Sequence, residues 1–267
     1  LVLLSACGPD SERTTVRIAL ADAKIVHAAA HVEPARADGH GAPPAQTAHA
    51  KPAHWAYGDE SHWGDTCASG KAQSPIPLRS SRKVLDLAGL SATYPASEGA
   101  LLDNGHTLQF TPESDGELQI GADAYKLAQF HFHAPSEHSL NGTLYPAELH
   151  FVNKTESASL AVVGVFIKEG PANPALAALL AALPEGEGED HASRPRVDMR
   201  KLLPKSRTYI AYSGSLTTPP CSEGVRWNVL ATPITASAAQ IEALSEALGP
   251  SNRALQAVNG RAVGFGS

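Results

Sequence analysis

Beyond about residue 55, hydrophobic and polar positions alternate with the period of a β-strand. In Gln129-Phe130-His131-Phe132-His133 no turn residue interrupts the alternation. Successive strand side chains point to opposite faces, which puts Phe130 and Phe132 on one side and Gln129, His131 and His133 on the other. The stretch 147–153, Ala-Glu-Leu-His-Phe-Val-Asn, repeats the pattern, with Leu149 and Phe151 opposed to Glu148 and His150. Further β-favouring runs at 108–111, 118–121, 148–153, 161–168, 209–213 and 227–231 are punctuated by Gly, Pro, Asn and Asp. Two segments depart from this period. Residues 174–183 are rich in Ala and Leu and stop at Pro184, and 237–248 opens on a capping box, Ser237-x-x-Gln240, and stops at Gly249-Pro250. The expectation is a β-rich body with two helices and a solvated acidic loop at 185–190. No internal repeat is present.

The front of the chain differs. Leu1-Val-Leu-Leu-Ser-Ala-Cys7-Gly8 reads as the end of a secretory signal. Leu4-Ser5-Ala6-Cys7 also resembles a bacterial lipobox, in which Cys7 carries the lipid, and Gly8 after it fits outer-membrane sorting. An ordinary hydrophobic start is the plainer alternative. Residues 8–52 are dominated by Ala, Pro, Gly and Thr with scattered His27, His31, His40 and His49. Such a segment buries too little apolar surface to offset its ordering entropy, so 8–52 is expected to be a disordered tether, transiently helical around 16–30. Its histidines read as part of a solvated spacer rather than as ligands. The folded domain is then 53–267.

Composition narrows the function. The 267 residues allow one large domain or two small ones. A net charge of −6 and a pI near 6.0 give no electrostatic reason for nucleic acid as a partner. Three Trp, six Tyr and six Phe make no stacking platform. No run reaches the roughly 20 apolar residues of a membrane span. With Cys7 set aside, Cys67 and Cys221 remain, either as a bridge closing a long loop, worth roughly 5 kcal/mol, or as two buried thiols. An exported chain favours the bridge.

The histidines carry the chemistry. Two imidazoles one pleat period apart, about 6.6–6.8 Å at Cα, can converge on one ion. If 147–153 lies antiparallel beside 129–133, with 139–146 as the turn, His150 faces the same point. Three neutral imidazoles fill three corners of a tetrahedral Zn²⁺ and leave the fourth for water. Glu148 is placed to fix the tautomer of His150, and Gln129 that of His131. The stretch 214–224 supplies the hydroxyls of Thr217 and Thr218 and a rigid Pro219-Pro220. A hydroxyl held by a carboxylate, for which Glu137 is the candidate, would orient the zinc-bound oxygen.

The segments at 54–58 (HWAYG), 73–76 (QSPI), 104–106 (NGH), 129–138 (QFHFHAPSEH), 147–152 (AELHFV), 161–166 (AVVGVF), 214–221 (GSLTTPPC) and 225–227 (VRW) stand in an order that resembles an α-class carbonic anhydrase of the bacterial, exported type. The resemblance covers about 54–265. It implies a single domain around a central twisted, mostly antiparallel sheet of about ten strands, mainly β with peripheral helices. It also implies a zinc lyase that hydrates CO₂ reversibly to bicarbonate and a proton by zinc-hydroxide attack. Weak hydrolysis of activated esters would accompany that activity. His131, His133 and His150 match the zinc ligands, Thr217 and Glu137 the pair that orients the hydroxide, and Gln129 and Glu148 the shell behind the ligands. Val152, Val162, Leu216, Val225 and Trp227 match the apolar wall for CO₂. Thr218, Tyr57, Asn104 and Gln109 match the polar side and its water chain. Cys67 and Cys221 match the family disulfide, and Ser74-Pro75 and Pro219-Pro220 match cis bonds.

His106 matches the proton shuttle, for a kinetic reason. Moving a proton from a group of pKa about 7 to bulk water climbs roughly nine units, about 12 kcal/mol, which caps turnover near about 10⁴ s⁻¹. A histidine titrating near neutrality collects the proton and hands it to buffer. The structural alternative is a turn residue following Asn104-Gly105. His138 matches a buried structural histidine and is not assigned to the metal, and Ala254 stands where the family usually has Pro. Two readings compete. One is a carbonic-anhydrase-like binding module without catalysis, which would be expected to lack a zinc histidine. The other is an exported zinc-binding lipoprotein acting through its tail histidines. A sheet edge also leaves a homodimer open.

Overall fold

The computed structural model describes residues 55–80 and 87–266, so the leader, Cys7 and the tether histidines lie outside the described residues. Among the described residues there are thirteen strands: β1 (Pro77–Leu78), β2 (Leu90–Thr93), β3 (Ala96–Asp103), β4 (Leu108–Pro112), β5 (Glu117–Ile120), β6 (Asp123–His133), β7 (Ser139–Leu140), β8 (Ala147–Lys154), β9 (Leu160–Glu169), β10 (Arg196–Asp198), β11 (Tyr209–Ser215), β12 (Glu223–Ala236) and β13 (Gly264–Gly266). Eleven of them form one sheet in the order β10-β3-β4-β6-β8-β9-β12-β11-β13, with β5 also on β6 and β2 on β5. Only β9 and β12 pair in parallel within it. Parallel neighbours need a long crossover, here the chain between Glu169 and Glu223. β1 and β7 make a separate parallel pair. No described helix is long and apolar enough to cross a membrane.

The sheet divides the apolar residues between two faces. Phe130 and Phe132 of β6, Leu149 and Phe151 of β8, Val163 and Val165 of β9 and Leu230 of β12 bury into one cluster. Val162, Phe166, Val225, Trp227 and Val229 belong to a second. β9 contributes to both, which is why 161–167 reads as a continuous apolar run rather than an alternation. In β6 a register shift between Leu127 and Gln129 resets the alternation. Tyr125 lies in the first cluster and Leu127 packs against it from odd positions, whereas Phe130 and Phe132 reach it from even ones. Without that bulge the histidines would turn into the core.

Among the described residues three α-helices accompany the sheet: α1 (Asp65–Ser69), α2 (Pro174–Leu180) and α3 (Ala238–Leu248). α3 starts on the expected capping box and stops at Gly249, whose φ of 59° requires a glycine-like backbone. α2 ends three residues short of the expected 183. Ala181 and Ala182 close it with bonds to Ala177 and Leu179, because Leu183, preceding Pro184, is pushed out of helical geometry. α1 has no counterpart in the sequence pattern. β12 runs well beyond the expected 227–231, crossing Pro233 by a register shift between Leu230 and Ile234, where a residue without an N–H cannot serve the ladder. The acidic stretch 185–190 is mostly exposed; Gly188 N–H donates to the Asp103 carbonyl, tying the stretch to the end of β3.

Candidate active site

β6 and β8 pair antiparallel with His131 directly opposite His150 and His133 opposite Glu148. Gln109 of β4 faces His131 from the other side. The three histidine rings converge, with centroids 5.0 Å (131–133), 5.4 Å (131–150) and 4.6 Å (133–150) apart. One ligating nitrogen from each lies within 4.8 Å of the others.

Each ring has one nitrogen already committed. His131 Nδ1 donates to Gln129 Oε1 at 2.9 Å, His133 Nδ1 to the Ser251 carbonyl at 2.6 Å and His150 Nε2 to Glu148 Oε1 at 3.0 Å. Amide, peptide and carboxylate oxygens only accept, so these bonds fix the tautomers. The lone pairs left over are Nε2 of His131, Nε2 of His133 and Nδ1 of His150. His133 Nε2 is buried without a hydrogen-bond partner, a costly state that a metal ion would relieve. Burial, reinforced by repulsion from His133 and His150, holds His131 well below the ordinary histidine value, and burial lowers His133 as well. Neutral imidazoles are the form a metal needs, so the donor set fits zinc.

Glu148 is fully buried. Burial alone would raise its carboxyl, but the electrostatic attraction of His138 and His150 and the hydrogen bonds both donate outweigh that and hold it far below the carboxylate range. His138 donates its backbone N–H to Glu148 Oε2 and its Nδ1 to Oε1, each at 2.8 Å. With that tautomer set, His138 Nε2 accepts from the Tyr212 hydroxyl at 2.7 Å, which in turn meets Ser74 Oγ at 2.8 Å. The grouping of His138, Glu148 and His150 is therefore a closed hydrogen-bond network, with His138 on the side away from the free lone pairs.

Glu137 is buried, with Oε2 at 3.6 Å from His133 Nε2 and 3.8 Å from His150 Nδ1. Oε1 accepts the Arg253 N–H at 2.9 Å. Oε2 has no hydrogen-bond partner, so the expected bond from Thr217 is not formed in this structure. Thr217 is buried and Thr218 half-buried, on a loop closed by Cys221 N–H to the Thr218 carbonyl and bridged to α1 by the Cys67–Cys221 disulfide. Ser74-Pro75 and Pro219-Pro220 are cis, and so is Ala134-Pro135, which the sequence reading did not anticipate.

Val162, Val225 and Trp227 are buried in one cluster, with Val152 and Leu216 packed against it. The Trp227 ring lies 4.8 Å from His150, placing this apolar wall beside the free lone pairs. The His106 ring stacks on Trp55 at 3.7 Å and 15°. Asn104 is exposed, and its Oδ1 accepts the N–H groups of His106 and Thr107, so its side chain shapes the turn that carries His106. Gln109 donates to Thr111. Tyr57 packs edge-on to Trp55 and 6.4 Å from the His133 ring, its hydroxyl buried without a partner. Burial, followed by Glu137 and Glu60, raises that phenol.

Sequence reasoning missed Ser251, Arg253, Tyr212 and Trp55. Ser251 and Arg253 act through backbone atoms more than 100 positions from their partners, where no local pattern points to them.

A wide, mostly antiparallel sheet bearing three converging, tautomer-fixed histidines that could hold a metal ion, beside an apolar wall, is the architecture of a metalloenzyme. The family model described as eukaryotic-type carbonic anhydrase matches residues 51–264. A carbonic anhydrase of Pectobacterium carotovorum is 41% identical over 224 residues, 79% of this chain and 90% of that protein. The α-carbonic anhydrase of Thermovibrio ammonificans, solved with the inhibitor sulfanilamide, superposes with a TM-score of 0.74 at 41% identity, covering 79% of this chain and 98% of that one. The Photobacterium profundum α-carbonic anhydrase gives the same score and identity, covering 79% and 99%. The chain belongs to the α-class carbonic anhydrase family. It is a zinc enzyme that interconverts carbon dioxide and bicarbonate.

Proposed function

We propose that His131 and His133 through Nε2 and His150 through Nδ1 hold the catalytic zinc. The observation that carries this is the complementarity of each ring: one nitrogen bonded to a dedicated acceptor, the other facing the common point. When bound, zinc supplies a Lewis acid that brings the pKa of a water to about 7, the value established for carbonic anhydrase itself. The chain does the rest. Gln129, Glu148 and the Ser251 carbonyl hold the rings in place. Val152, Val162, Leu216, Val225 and Trp227 give uncharged CO₂ a surface with no competing ligand. Thr217 orients the reacting oxygen, with Glu137 Oε2, unpartnered in this structure, as the acceptor its hydroxyl would turn to, and Thr218 lines the polar side with Tyr57, Asn104 and Gln109.

His106 takes the proton released in each cycle and passes it to buffer. Its support on Trp55 sets the ring beside the cluster of Tyr57 and Trp63. The same reading makes 53–267 the catalytic domain, delivered to an oxidising compartment and tethered through 8–52 to a lipid on Cys7. The disulfide supports the compartment, since such bridges persist outside the reducing cytosol.

The test is stopped-flow CO₂ hydration with zinc analysis on the full chain and its His150→Ala variant. About one zinc with fast hydration is expected, both largely lost in the variant. A variant that kept both would refute the ligand set.

A further inference from the structure

Arg253 lies in 251–258, a stretch with neither helix nor strand, so no backbone ladder fixes its place. Its side chain is nevertheless buried, at 2% exposure. Nη1 donates to Gln73 Oε1 and to the Ser74 carbonyl, each at 2.8 Å, and Nη2 donates to the Cys67 carbonyl at 3.1 Å. The guanidinium carbon stands 5.4 Å from the centre of the Trp63 ring. One buried side chain thus joins α1 and the Gln73-Ser74 turn to this stretch. Its backbone N–H is the donor that holds Glu137 Oε1.

Two residues earlier, Ser251 is fully buried. Its carbonyl accepts from His133 Nδ1, its hydroxyl accepts the Ala134 N–H at 3.0 Å, and its own N–H returns to the Ala134 carbonyl at 2.9 Å. Three consecutive residues therefore present an acceptor to one proposed zinc ligand and a donor to the carboxylate beside it.

We propose that Arg253 is a positioning residue: its guanidinium anchors the 251–253 segment and thereby orients His133 and Glu137 for the metal. The proposal rests on the zinc site described above. An arginine serving the fold alone would need only to fill its space and satisfy nearby carbonyls. Here the anchored segment delivers both backbone contacts to the site, so a shift of a few tenths of an ångström reaches His133 and Glu137 together. Lysine reproduces the anchor only in part, because its compact ammonium lacks the rigid planar fork that reaches acceptors on two separate segments.

The experiment uses the full chain carrying Arg253→Lys, Arg253→Met or Gln73→Leu, the last removing one acceptor without touching Glu137 or His133. Zinc affinity is read by competition with a chelator, the visible spectrum of the Co²⁺-substituted protein reports ligand geometry, and near-UV circular dichroism reports packing. The expected result is zinc binding about 10–100-fold weaker in Arg253→Met, the range for loss of a partner behind a ligand, and a smaller loss in Arg253→Lys. Co²⁺ bands should shift in both. If Arg253→Met does not fold, Arg253→Lys and Gln73→Leu carry the test, with weakening of several-fold expected. Affinity within twofold of the unaltered protein and an unchanged Co²⁺ spectrum, with only thermal stability lowered, would make Arg253 a brace of the fold and overturn the proposal. If the unaltered protein binds zinc no better than His150→Ala, the site reading itself falls and takes this proposal with it.

Discussion

Replacing Cys67 and Cys221 together by serine should bring this enzyme close to its unfolding limit while leaving the folded molecules active. The bridge spans a sequence separation of 154, for which the chain-entropy relation gives about 17 cal/mol/K, or about 5 kcal/mol at 25 °C. The whole stability of a domain is about 5–15 kcal/mol, so the loss is a large share of it. The effect falls on the unfolded chain, because the native loop has bonds of its own. Leu216 N–H meets the Ser222 carbonyl at 3.0 Å, Cys221 N–H meets that of Thr218 at 2.9 Å, and Gln73 Nε2 reaches the Cys221 carbonyl at 3.1 Å. Urea unfolding of the zinc-saturated double variant should show its midpoint lowered by about 2 M, taking an m-value of about 2–3 kcal/mol/M. Hydration activity per folded molecule, measured well below that midpoint, should stay within a few-fold. A stability loss under about 2 kcal/mol would refute the entropic argument. Collapse of activity at full zinc content would show that the bridge, not the loop's own bonds, holds Thr217 and Thr218.

Two further outcomes follow from single contacts. Gly164 faces His150 across β8 and β9, and a Cβ there would lie 3.0 Å from Glu148 Oε1 and 3.2 Å from a Val229 methyl. Gly164→Ala should cost about 1–3 kcal/mol by overpacking and weaken zinc at least tenfold through Glu148; thermal melts and chelator competition check both, and unchanged zinc affinity would show that Glu148 does not govern His150. Glu223 is held below the usual glutamate value first by the Gln73 side chain and then by the Ala72 and Lys71 N–H groups. Folded, it binds fewer protons than unfolded, so its contribution is full above the usual glutamate pKa of about 4.3 and fades as pH falls through the lowered folded value. Glu223→Gln should lose less than about 1 kcal/mol at neutral pH, given the exposure of the group, and the deficit should fade as pH falls below the usual glutamate value and through the lowered folded one. Denaturation across that range decides it: a deficit that persists in acid would be at odds with the titration.

Alternation along 129–133 and 147–153 sufficed to separate His131, His133 and His150 from Phe130, Phe132, Leu149 and Phe151, because strand geometry gives a side chain its face from its position alone. The capping box at Ser237 and Gln240 was equally local, as both partners lie within one helical turn. The β-favouring run at 161–168 announced a strand, but that both its faces are covered came only with the packed sheet. What local pattern could not supply was the identity of partners distant along the chain. The bulge after Leu127 makes odd and even positions of one strand share a core, the Ser251 carbonyl selects the His133 tautomer, and Arg253 meets Glu137 on one side and Cys67, Gln73 and Ser74 on the other. Trp55 on His106 and the parallel neighbourhood of β9 and β12 belong with these. Periodicity tells a residue which way to face, but packing of the completed sheet chooses what it faces. For this protein the residue types at the proposed metal site were therefore readable along the chain, whereas the groups that hold them in place came together only when segments more than 100 positions apart closed around them.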